Sequence, residues 1–440
     1  MNPSPVSAAL ESVLLKVIIQ LIVIIASARI FGNLFRRFGQ PMVCGEIAAG
    51  LLLGPSVVGR FFPGTFHAIF DPAVGPIFSI MSQLGLIFLM FLIGLEFDFG
   101  HLKENRSAAF AISGTGIVFP FSLGLVLGYY LHSAMGMEGS PLSFSLFMAT
   151  AMSITALPIL GRIMIELNLN RTRLGAITIS AAAMDDASGW IILALITALV
   201  RSTFDPGRMA IMVISVLAYA AIMMMVVRPA LIKWSKGVLE RNNGTLSLGA
   251  MATIIICLLI SAAITNIIGI FSIFGGFLFG AILFDQEELR EAINNRLRDF
   301  ITTFFLPIFF TYTGLRTDIG SMTSLTLWGF GGLVLGAAIL GKMGGCTLAA
   351  RLSGMKRNEA LMVGTMMNTR ALMELIVINI GYDLGIVPKS VFFMLVFMAV
   401  FTTYMTVPIL RRLVRHTEVW ESYRASDFAA RLDKAAAARA

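Results

Sequence analysis

The stretch ITISAAAMDDASGWIILALI, residues 177–196, decides the fold class of this chain. An α-helix needs about 20 mostly apolar residues to cross a bilayer, and this stretch has that length. Two acidic residues, Asp185 and Asp186, stand side by side near its centre. Because an ionisable side chain at that depth costs on the order of 2.5–3.5 kcal/mol, such residues mark functional sites. The stretch therefore predicts a membrane helix that carries a mid-membrane carboxylate pair.

The composition of the whole chain is that of a membrane protein. Of its 440 residues, 57% are hydrophobic and 13% are charged, whereas soluble proteins contain roughly 25% charged residues. The three Cys and four His are scattered and show neither disulfide nor metal-binding spacing. These features exclude a soluble enzyme and a nucleic-acid-binding protein. We expect a transporter, not an enzyme, with no cofactor other than the ions that it moves.

About thirteen segments have the length and apolar character of membrane spans. Their approximate ranges are 12–32, 41–58, 77–96, 108–131, 141–165, 174–200, 208–233, 245–266, 268–285, 299–316, 325–350, 359–381 and 388–413. With the N-terminus outside, the connections that follow odd-numbered spans lie inside, and they hold roughly three times as many Lys and Arg as the other connections, as cytoplasmic loops do. We therefore expect an all-α, multi-pass protein of the cell (inner) membrane with a short cytoplasmic tail at 416–440. The net charge of +8 then reflects topology, not a nucleic-acid partner.

Three pairs of short segments are similar between the two halves of the chain, in the same order. The two members of each pair are offset by seven spans, an odd number, so the halves would have opposite orientations in the membrane. Inverted repeats are typical of secondary transporters, whose substrate site lies near the midplane between the repeats. The pairs are GEIAAGLLLG (45–54) with GGFLFGAIL (275–283), FLIGLEFDFG (91–100) with TYTGLRTDIG (311–320), and MSITAL (152–157) with MNTRAL (367–372).

The two adjacent aspartates have the chemistry of a proton-exchanging cation site. Burial and mutual repulsion favour protonation of at least one carboxylate, while an ionised carboxylate binds a hard cation. Lys342, in the middle of LGAAILGKMGGCTLAA (335–350), needs a counter-charge, and one of the aspartates is its expected partner. The alternatives are a purely structural ion pair for the aspartates and a Lys342 that extends to the membrane surface.

Two spans contain helix-breaking polar sequence at matching positions. TAMSITALPILGR (150–162) contains Ser153 and Thr155, and GTMMNTRALMEL (364–375) contains Asn368. Interrupted helices leave backbone carbonyls and side-chain oxygens beside a central site, where they bind a cation. In the second stretch Arg370 and Glu374 are four residues apart, which favours an ion pair on one helix face. Whether that pair is structural or linked to transport stays open from the sequence.

At these residues the chain resembles the monovalent cation:proton antiporter superfamily, in the branch of the Kef-like and NapA-like exchangers. The resemblance extends over nearly all of the membrane part. The matching segments are PMVCGEIAAGLLLGPS (41–56), GLIFLMFLIGLEFD (85–98), SITALPILGRIMIELNLNRTRLG (153–175), AAAMDDASGWIILAL (181–195), FLPIFFTYTGLRTD (305–318) and NTRALMELIVINIGYDLGIV (368–387).

The resemblance implies an NhaA-like antiporter fold of two inverted five-helix repeats with crossed, broken helices. It implies a transmembrane domain over 1–415, with core spans near 108–200 and 325–413. The remaining spans, near 12–96 and 245–316, would form a dimerisation domain, so a homodimer is expected. No nucleotide-binding regulatory domain of the Kef type is expected in this chain.

The resemblance also assigns roles to the site residues. Asp186 would carry the Na⁺ or K⁺ ion and the proton, and Asp185 would pair with Lys342. The Asp-Asp pair and the NTRALMEL segment (368–375) point to different cations, so the choice between Na⁺ and K⁺ stays open. The sequence thus predicts a Na⁺ or K⁺:proton antiporter that works by alternating access. The alternative is a sensor or channel-like cation permease on the same scaffold, without coupled exchange.

Overall fold

The computed structural model describes residues 5–40, 42–96, 106–169, 172–201, 206–242, 244–370 and 372–426. Its regular structure is helical throughout these ranges, and no strand occurs in them. The helices are α1 Pro5–Arg37, α2 Met42–Leu53, α3 Val58–Phe61, α4 Pro63–Ile69, α5 Gly75–Glu96, α6 Arg106–Ala134, α7 Pro141–Ser153, α8 Leu157–Glu166, α9 Arg173–Arg201, α10 Pro206–Ile222, α11 Arg228–Arg241, α12 Leu248–Ile268, α13 Ser272–Ala281, α14 Glu287–Phe300, α15 Leu306–Arg316, α16 Leu325–Ala338, α17 Gly345–Leu352, α18 Arg357–Met367, α19 Leu372–Asp383, α20 Lys389–Leu413 and α21 Trp420–Arg424.

The prediction of an all-α, multi-pass membrane protein is confirmed. Among the described residues, nine helical segments are long and apolar enough to cross a membrane, and α7 and α13 are shorter apolar helices. Each of the thirteen predicted spans coincides with one helix or with two helices in series. Membrane spans are helical because a helix satisfies its own backbone hydrogen bonds where no water is present.

Three of the composite spans are joined by π-helical turns rather than by breaks. These turns are Met223–Val227 between α10 and α11, Ile301–Phe305 between α14 and α15, and Ile339–Gly344 between α16 and α17. A π-helical turn inside an α-helix commonly marks a functional position, because it leaves a backbone carbonyl without its usual partner. The third turn contains Lys342, so this span presents the lysine from an irregular segment.

The chain divides into two compact units. The first contains Met1–Arg29, Val57–Phe99 and Ala194–Gly314, and the second contains Ile30–Ser56, Gly100–Leu193 and Leu315–Ala440. This division assigns α2 to the second unit, whereas the resemblance grouped it with the dimerisation spans. All of the predicted site residues belong to the second unit.

Close packing of α5 against α13 stabilises the first unit. A Cβ atom at Gly94 would lie 2.3 Å from the carbonyl oxygen of Phe277, and one at Gly280 would lie 2.2 Å from that of Phe91. The rings of Phe91 and Phe279 stack with their centroids 5.4 Å apart. In lipid the hydrophobic effect does not drive helices together, so their association depends on close packing. Small residues allow that close approach.

The segment after the last span packs within the second unit, against the residues that precede α9 and α18. The Asn168 side-chain amide donates a hydrogen bond of 3.0 Å to the carbonyl of Ser422, and Lys356 pairs with Glu418 at 3.0 Å. The hydrogen bond from Lys356 lowers the pKa of the Glu418 carboxyl, and the same contact raises the pKa of Lys356. Both groups therefore stay charged across the neutral range. Residues 427–440 of the predicted tail lie outside the described residues.

Candidate functional site

Two interrupted helices cross in the second unit. After α7 ends at Ser153, the backbone of Ile154 is extended, with φ −87° and ψ 144°. The Thr155 hydroxyl donates a 2.8 Å hydrogen bond to the carbonyl of Met367, where α18 ends. The backbone N–H of Ala156 donates to the carbonyl of Thr369 at 3.0 Å. The two breaks therefore satisfy some of each other's backbone hydrogen-bonding groups. Irregular backbone at membrane depth requires such partners.

The break in the first crossing span begins before the proline of TAMSITALPILGR (150–162). Pro158 is the second residue of α8. Proline is tolerated there because N–H groups in the first turn of a helix have no intrahelical partner. The unwound residues are 154–156, so proline begins the second half-helix rather than interrupting a continuous one. In the other crossing span, Ala371 lies outside the described residues.

The guanidinium group of Arg370 caps the end of α7. Its Nη1 donates to the carbonyl of Ala151 at 2.9 Å, and its Nη2 donates to that of Met152 at 2.8 Å. Nη2 also lies 3.4 Å from the carbonyl oxygen of Ala338, the residue before the third π-helical turn. The last carbonyls of a helix are partly negative and without intrahelical donors, so a buried cation is stabilised there.

Lys342 binds the next carbonyl of the same helix end and one of the two aspartates. Its ammonium nitrogen lies 2.6 Å from Asp185 Oδ2. It also donates to the carbonyls of Ser153 and, at 2.8 Å, of Gly116. The side chains of Lys342 and Asp185 are fully buried. An ammonium group has three hydrogens to donate, and here each has an acceptor.

Asp186 and Asn368 are buried polar groups of a different kind. Asp186 is 0% exposed and Asn368 is 1% exposed. Neither oxygen of Asp186, and neither amide atom of Asn368, has a hydrogen-bond partner in the described part of the chain. Buried polar groups are normally paired, so these unpaired oxygens are available to a ligand. Carboxylate and amide oxygens are the donors that hard cations prefer.

Helix α9 brings the aspartates to the crossing. A Cβ atom at Gly189 would lie 2.9 Å from Ile154 Cγ1, so glycine allows α9 to approach the break in the first crossing span. Asp185 is one helical turn from Gly189 and therefore shares its face. The adjacent position of Asp186 turns its carboxylate to a different side of α9.

Ser153 and Glu374 lie beside the cations Lys342 and Arg370. The Ser153 hydroxyl donates to the carbonyl of Thr150 at 3.0 Å, so Ser153 contributes to the site through its backbone carbonyl. Glu374 lies 3.7 Å from Arg370, which is an ionic contact. The guanidinium hydrogen bonds go to α7 instead, because the carbonyls at that helix end are closer.

Sequence reasoning missed part of the site on α20. The Arg370 backbone N–H donates to the Thr403 hydroxyl at 3.2 Å, and the hydroxyls of Thr369 and Thr406 are 3.3 Å apart. The signal was present, because TTYMT (402–406) is a polar run inside an otherwise apolar span. The Gly116 carbonyl was missed because a backbone atom has no sequence signature.

Asn368 and Thr155 should respond differently to substitution. Asn368→Ala should raise the apparent cation constant about five- to tenfold, because it removes an unpaired oxygen of ligand type. Thr155→Val should mainly lower the unfolding temperature, because its hydroxyl joins the two breaks. The measurement is cation-dependent proton flux in proteoliposomes together with thermal unfolding in detergent. An unchanged cation constant in Asn368→Ala would place the cation elsewhere.

Crossed, interrupted helices around buried charges define a class of membrane protein, the secondary transporters. Residues 22–416 match the family described as "Sodium/hydrogen exchanger, transmembrane". Because that match covers most of the 440 residues, the chain belongs to the transmembrane sodium/hydrogen exchanger family. The fold is similar to that of the sodium proton antiporter MjNhaP1 from Methanocaldococcus jannaschii, with a TM-score of 0.62 and 14% identity over 90% of this chain and 97% of that one.

Curated relatives support the same membership. The chain is 40% identical over 405 residues to "Na(+)/H(+) antiporter NhaS4" of Synechocystis, covering 91% of this chain and 97% of the relative. It is 34% identical to "Cation/H(+) antiporter 17" of Arabidopsis thaliana, over 91% of this chain and 48% of the relative. It is 30% identical to "K(+)/H(+) antiporter 1" of Saccharomyces cerevisiae, over 85% of this chain and 44% of the relative. The chain thus spans about half the length of the plant and yeast relatives.

Proposed function

We propose that this protein is a secondary-active antiporter that exchanges Na⁺ or K⁺ for protons by alternating access. The observation that carries the proposal is Asp186, a fully buried carboxylate without a hydrogen-bond partner among the described residues. It adjoins an ion pair between Lys342 and Asp185. A buried carboxylate in this setting binds either a cation or a proton, and that competition is the basis of exchange.

The cation site would be assembled from groups around the crossing. Asp186 supplies charge, and the Asn368 amide oxygen adds a neutral ligand. When Lys342 moves away from Asp185, the Asp185 carboxylate and the Ser153 carbonyl become available as further oxygen ligands. Binding of the cation and pairing of Lys342 with Asp185 would then exclude each other.

The charges in the site predict electrogenic exchange. With Asp185, Asp186 and Lys342 all charged, the group carries one net negative charge, which a bound monovalent cation neutralises. If both aspartates are protonated on the return step while Lys342 keeps its proton, the group returns with one positive charge. Two protons would then move for each cation. An isolated buried carboxylate is costly to keep ionised, which favours protonation of Asp185 once its lysine has left.

The prediction is that wild-type exchange responds to an imposed membrane potential, at roughly 2.3 kcal/mol per charge per 100 mV. Lys342→Gln should weaken that response or abolish transport, because both the pair and the lysine charge are lost. The test is Na⁺-driven proton flux in liposomes with the potential clamped by valinomycin and K⁺. Wild-type rates that ignore the clamp would refute the two-proton scheme and support neutral one-for-one exchange.

Substrate and coupling are tested together in proteoliposomes that contain a pH-sensitive dye. Na⁺, K⁺ and Li⁺ are added in turn, with choline as the control cation. The proposal requires proton movement opposite to at least one of the first two. Cation uptake without proton movement would favour the alternative, a channel-like permease or sensor, over coupled exchange.

The protein would lie in the cell (inner) membrane with its N-terminus outside and its C-terminus in the cytoplasm, as the loop charges favour. The second unit would act as the transport core, since it contains every proposed ligand. The first unit would mediate homodimerisation. Crosslinking of cysteine pairs introduced in the first unit of membrane-embedded protein would test that last assignment.

A further inference from the structure

A proline inside α6 lies beside the segment that carries Lys342. Pro120 is buried and stands within Arg106–Ala134. Because proline has no N–H, the carbonyl four residues earlier, that of Gly116, receives no helical hydrogen bond from it. That carbonyl accepts a hydrogen bond from Lys342 Nζ at 2.8 Å instead. Because of this proline, one of the three acceptors of the lysine has no N–H from the residue four positions later competing for it.

The contact between α6 and the lysine segment is close. A Cβ atom at Gly341 would lie 3.0 Å from both Cα and Cβ of Pro120. A Cβ atom at Gly116 would lie 2.6 Å from Cys346 Sγ and 3.8 Å from Lys342 Nζ. The absence of side chains at the two glycines thus allows the proline ring to pack on the π-helical turn and the lysine to reach the α6 backbone.

We propose that Pro120 is a positioning residue for Lys342. By freeing the Gly116 carbonyl, it provides the acceptor that binds the ammonium group when a transported cation displaces it from Asp185. The inference rests on the proposed exchange function. Two of the lysine's acceptors, Asp185 and the Ser153 carbonyl, are themselves proposed ligands of the cation. The Gly116 carbonyl is on a different helix, α6, and stays available to the lysine while the cation is bound.

Loss of the Gly116 carbonyl as an acceptor has different energetic consequences in the cation-free and the cation-bound state. With no cation, Lys342 has a carboxylate and two carbonyls as partners, so loss of one carbonyl is partly compensated. With the cation bound, the Gly116 carbonyl is the main acceptor of the Lys342 ammonium group. A buried ammonium group without acceptors is strongly disfavoured. Removing this acceptor therefore destabilises the cation-bound state more than the cation-free state, which weakens cation binding.

The variant Pro120→Ala tests this, because alanine restores an N–H that competes with Lys342 for the Gly116 carbonyl. Its matched control is Pro408→Ala, which removes the proline inside α20 of the same unit. In proteoliposomes, Pro120→Ala should raise the apparent Na⁺ or K⁺ constant about five- to tenfold. The maximal rate should stay within about twofold, because the ligands themselves are intact. Pro408→Ala should leave the cation constant unchanged.

A second measurement separates positioning from a structural effect. Na⁺-induced thermal stabilisation in detergent gives a cation constant without transport, and it is compared in Lys342→Gln with and without Pro120→Ala. The proposal requires that Pro120→Ala has no further effect once the lysine is absent. If Pro120→Ala does not fold, Pro120→Ser restores the same N–H and takes its place.

Three results would overturn the inference: an unchanged or lowered cation constant in Pro120→Ala, an equal rise in Pro408→Ala, or the same rise in the Lys342→Gln background. Each would leave the proposed exchange intact, because wild-type flux is measured in the same experiment. Wild-type liposomes that show no cation-driven proton flux would instead contradict the proposed function itself.

Discussion

Replacing Asp186 with asparagine is expected to reduce cation–proton exchange to the background of empty liposomes. The amide has nearly the same shape, so the chain should still fold and insert. It has no charge to attract a cation and cannot take up a proton in the relevant range, so both halves of the cycle are lost. The measurement is cation-driven proton flux with purified protein, alongside gel filtration to verify folding.

The matched control is Asp71→Asn, which makes the same chemical change outside the site. Asp71 precedes α5 and forms a partly exposed ion pair with Lys16 at 2.8 Å. Because exposed ion pairs contribute little to stability, this variant should exchange cations as the wild type does. Substantial exchange by Asp186→Asn, with Asp71→Asn at the same level, would contradict the assignment of Asp186.

Removal of the Arg370 side chain is expected to have the largest effect on stability. Arg370→Met would leave the carbonyls of Ala151 and Met152 without their donors and the buried Glu374 without its counter-charge. Breaking a buried pair by removing one partner costs about 3–5 kcal/mol. We expect a markedly lower unfolding temperature in detergent and a low yield of folded protein.

A double substitution makes this prediction specific. Arg370→Met combined with Glu374→Met should recover part of the lost stability, because an uncompensated buried carboxylate no longer remains. Arg351→Met is the control, since Arg351 also donates to a carbonyl, that of Met355, but at the surface. It should change stability by no more than about 0.5 kcal/mol. An Arg370→Met protein as stable as the control would show that α7 does not need its cap.

The fold was largely predictable because membrane spans carry strong signals. Length and hydropathy found the apolar helices of the membrane part, although not the short α3 and α4 or the charged α14. The polar stretches around Thr155 and Asn368 marked the two crossing breaks. Lys342 was recognisable because a charge in mid-membrane is rare and needs a partner. These signals depend on side-chain chemistry that can be read at a single position or over a short window.

The rest of the site depends on contacts between side chains and backbone carbonyls that are far apart in the sequence. No local sequence pattern predicts such contacts. Ser153 was predicted as a cation-binding residue, but the sequence did not indicate that its hydroxyl bonds within α7 while its carbonyl accepts from Lys342. Arg370 was predicted to pair with Glu374, yet it mainly caps α7. The side chains of Lys342 and Arg370 reach the last carbonyls of α7 only when the helices are assembled. Neither contact therefore follows from the spacing of residues in the sequence.

In the proposed exchange a cation and protons compete for Asp186, and the dependence of the apparent cation constant on pH measures this competition directly. For competition, the constant should rise as pH falls, by up to about tenfold per pH unit for each competing proton. The maximal rate at saturating cation should stay nearly constant over the same range. A cation constant that does not change with pH, in liposomes with measurable exchange, would contradict the account.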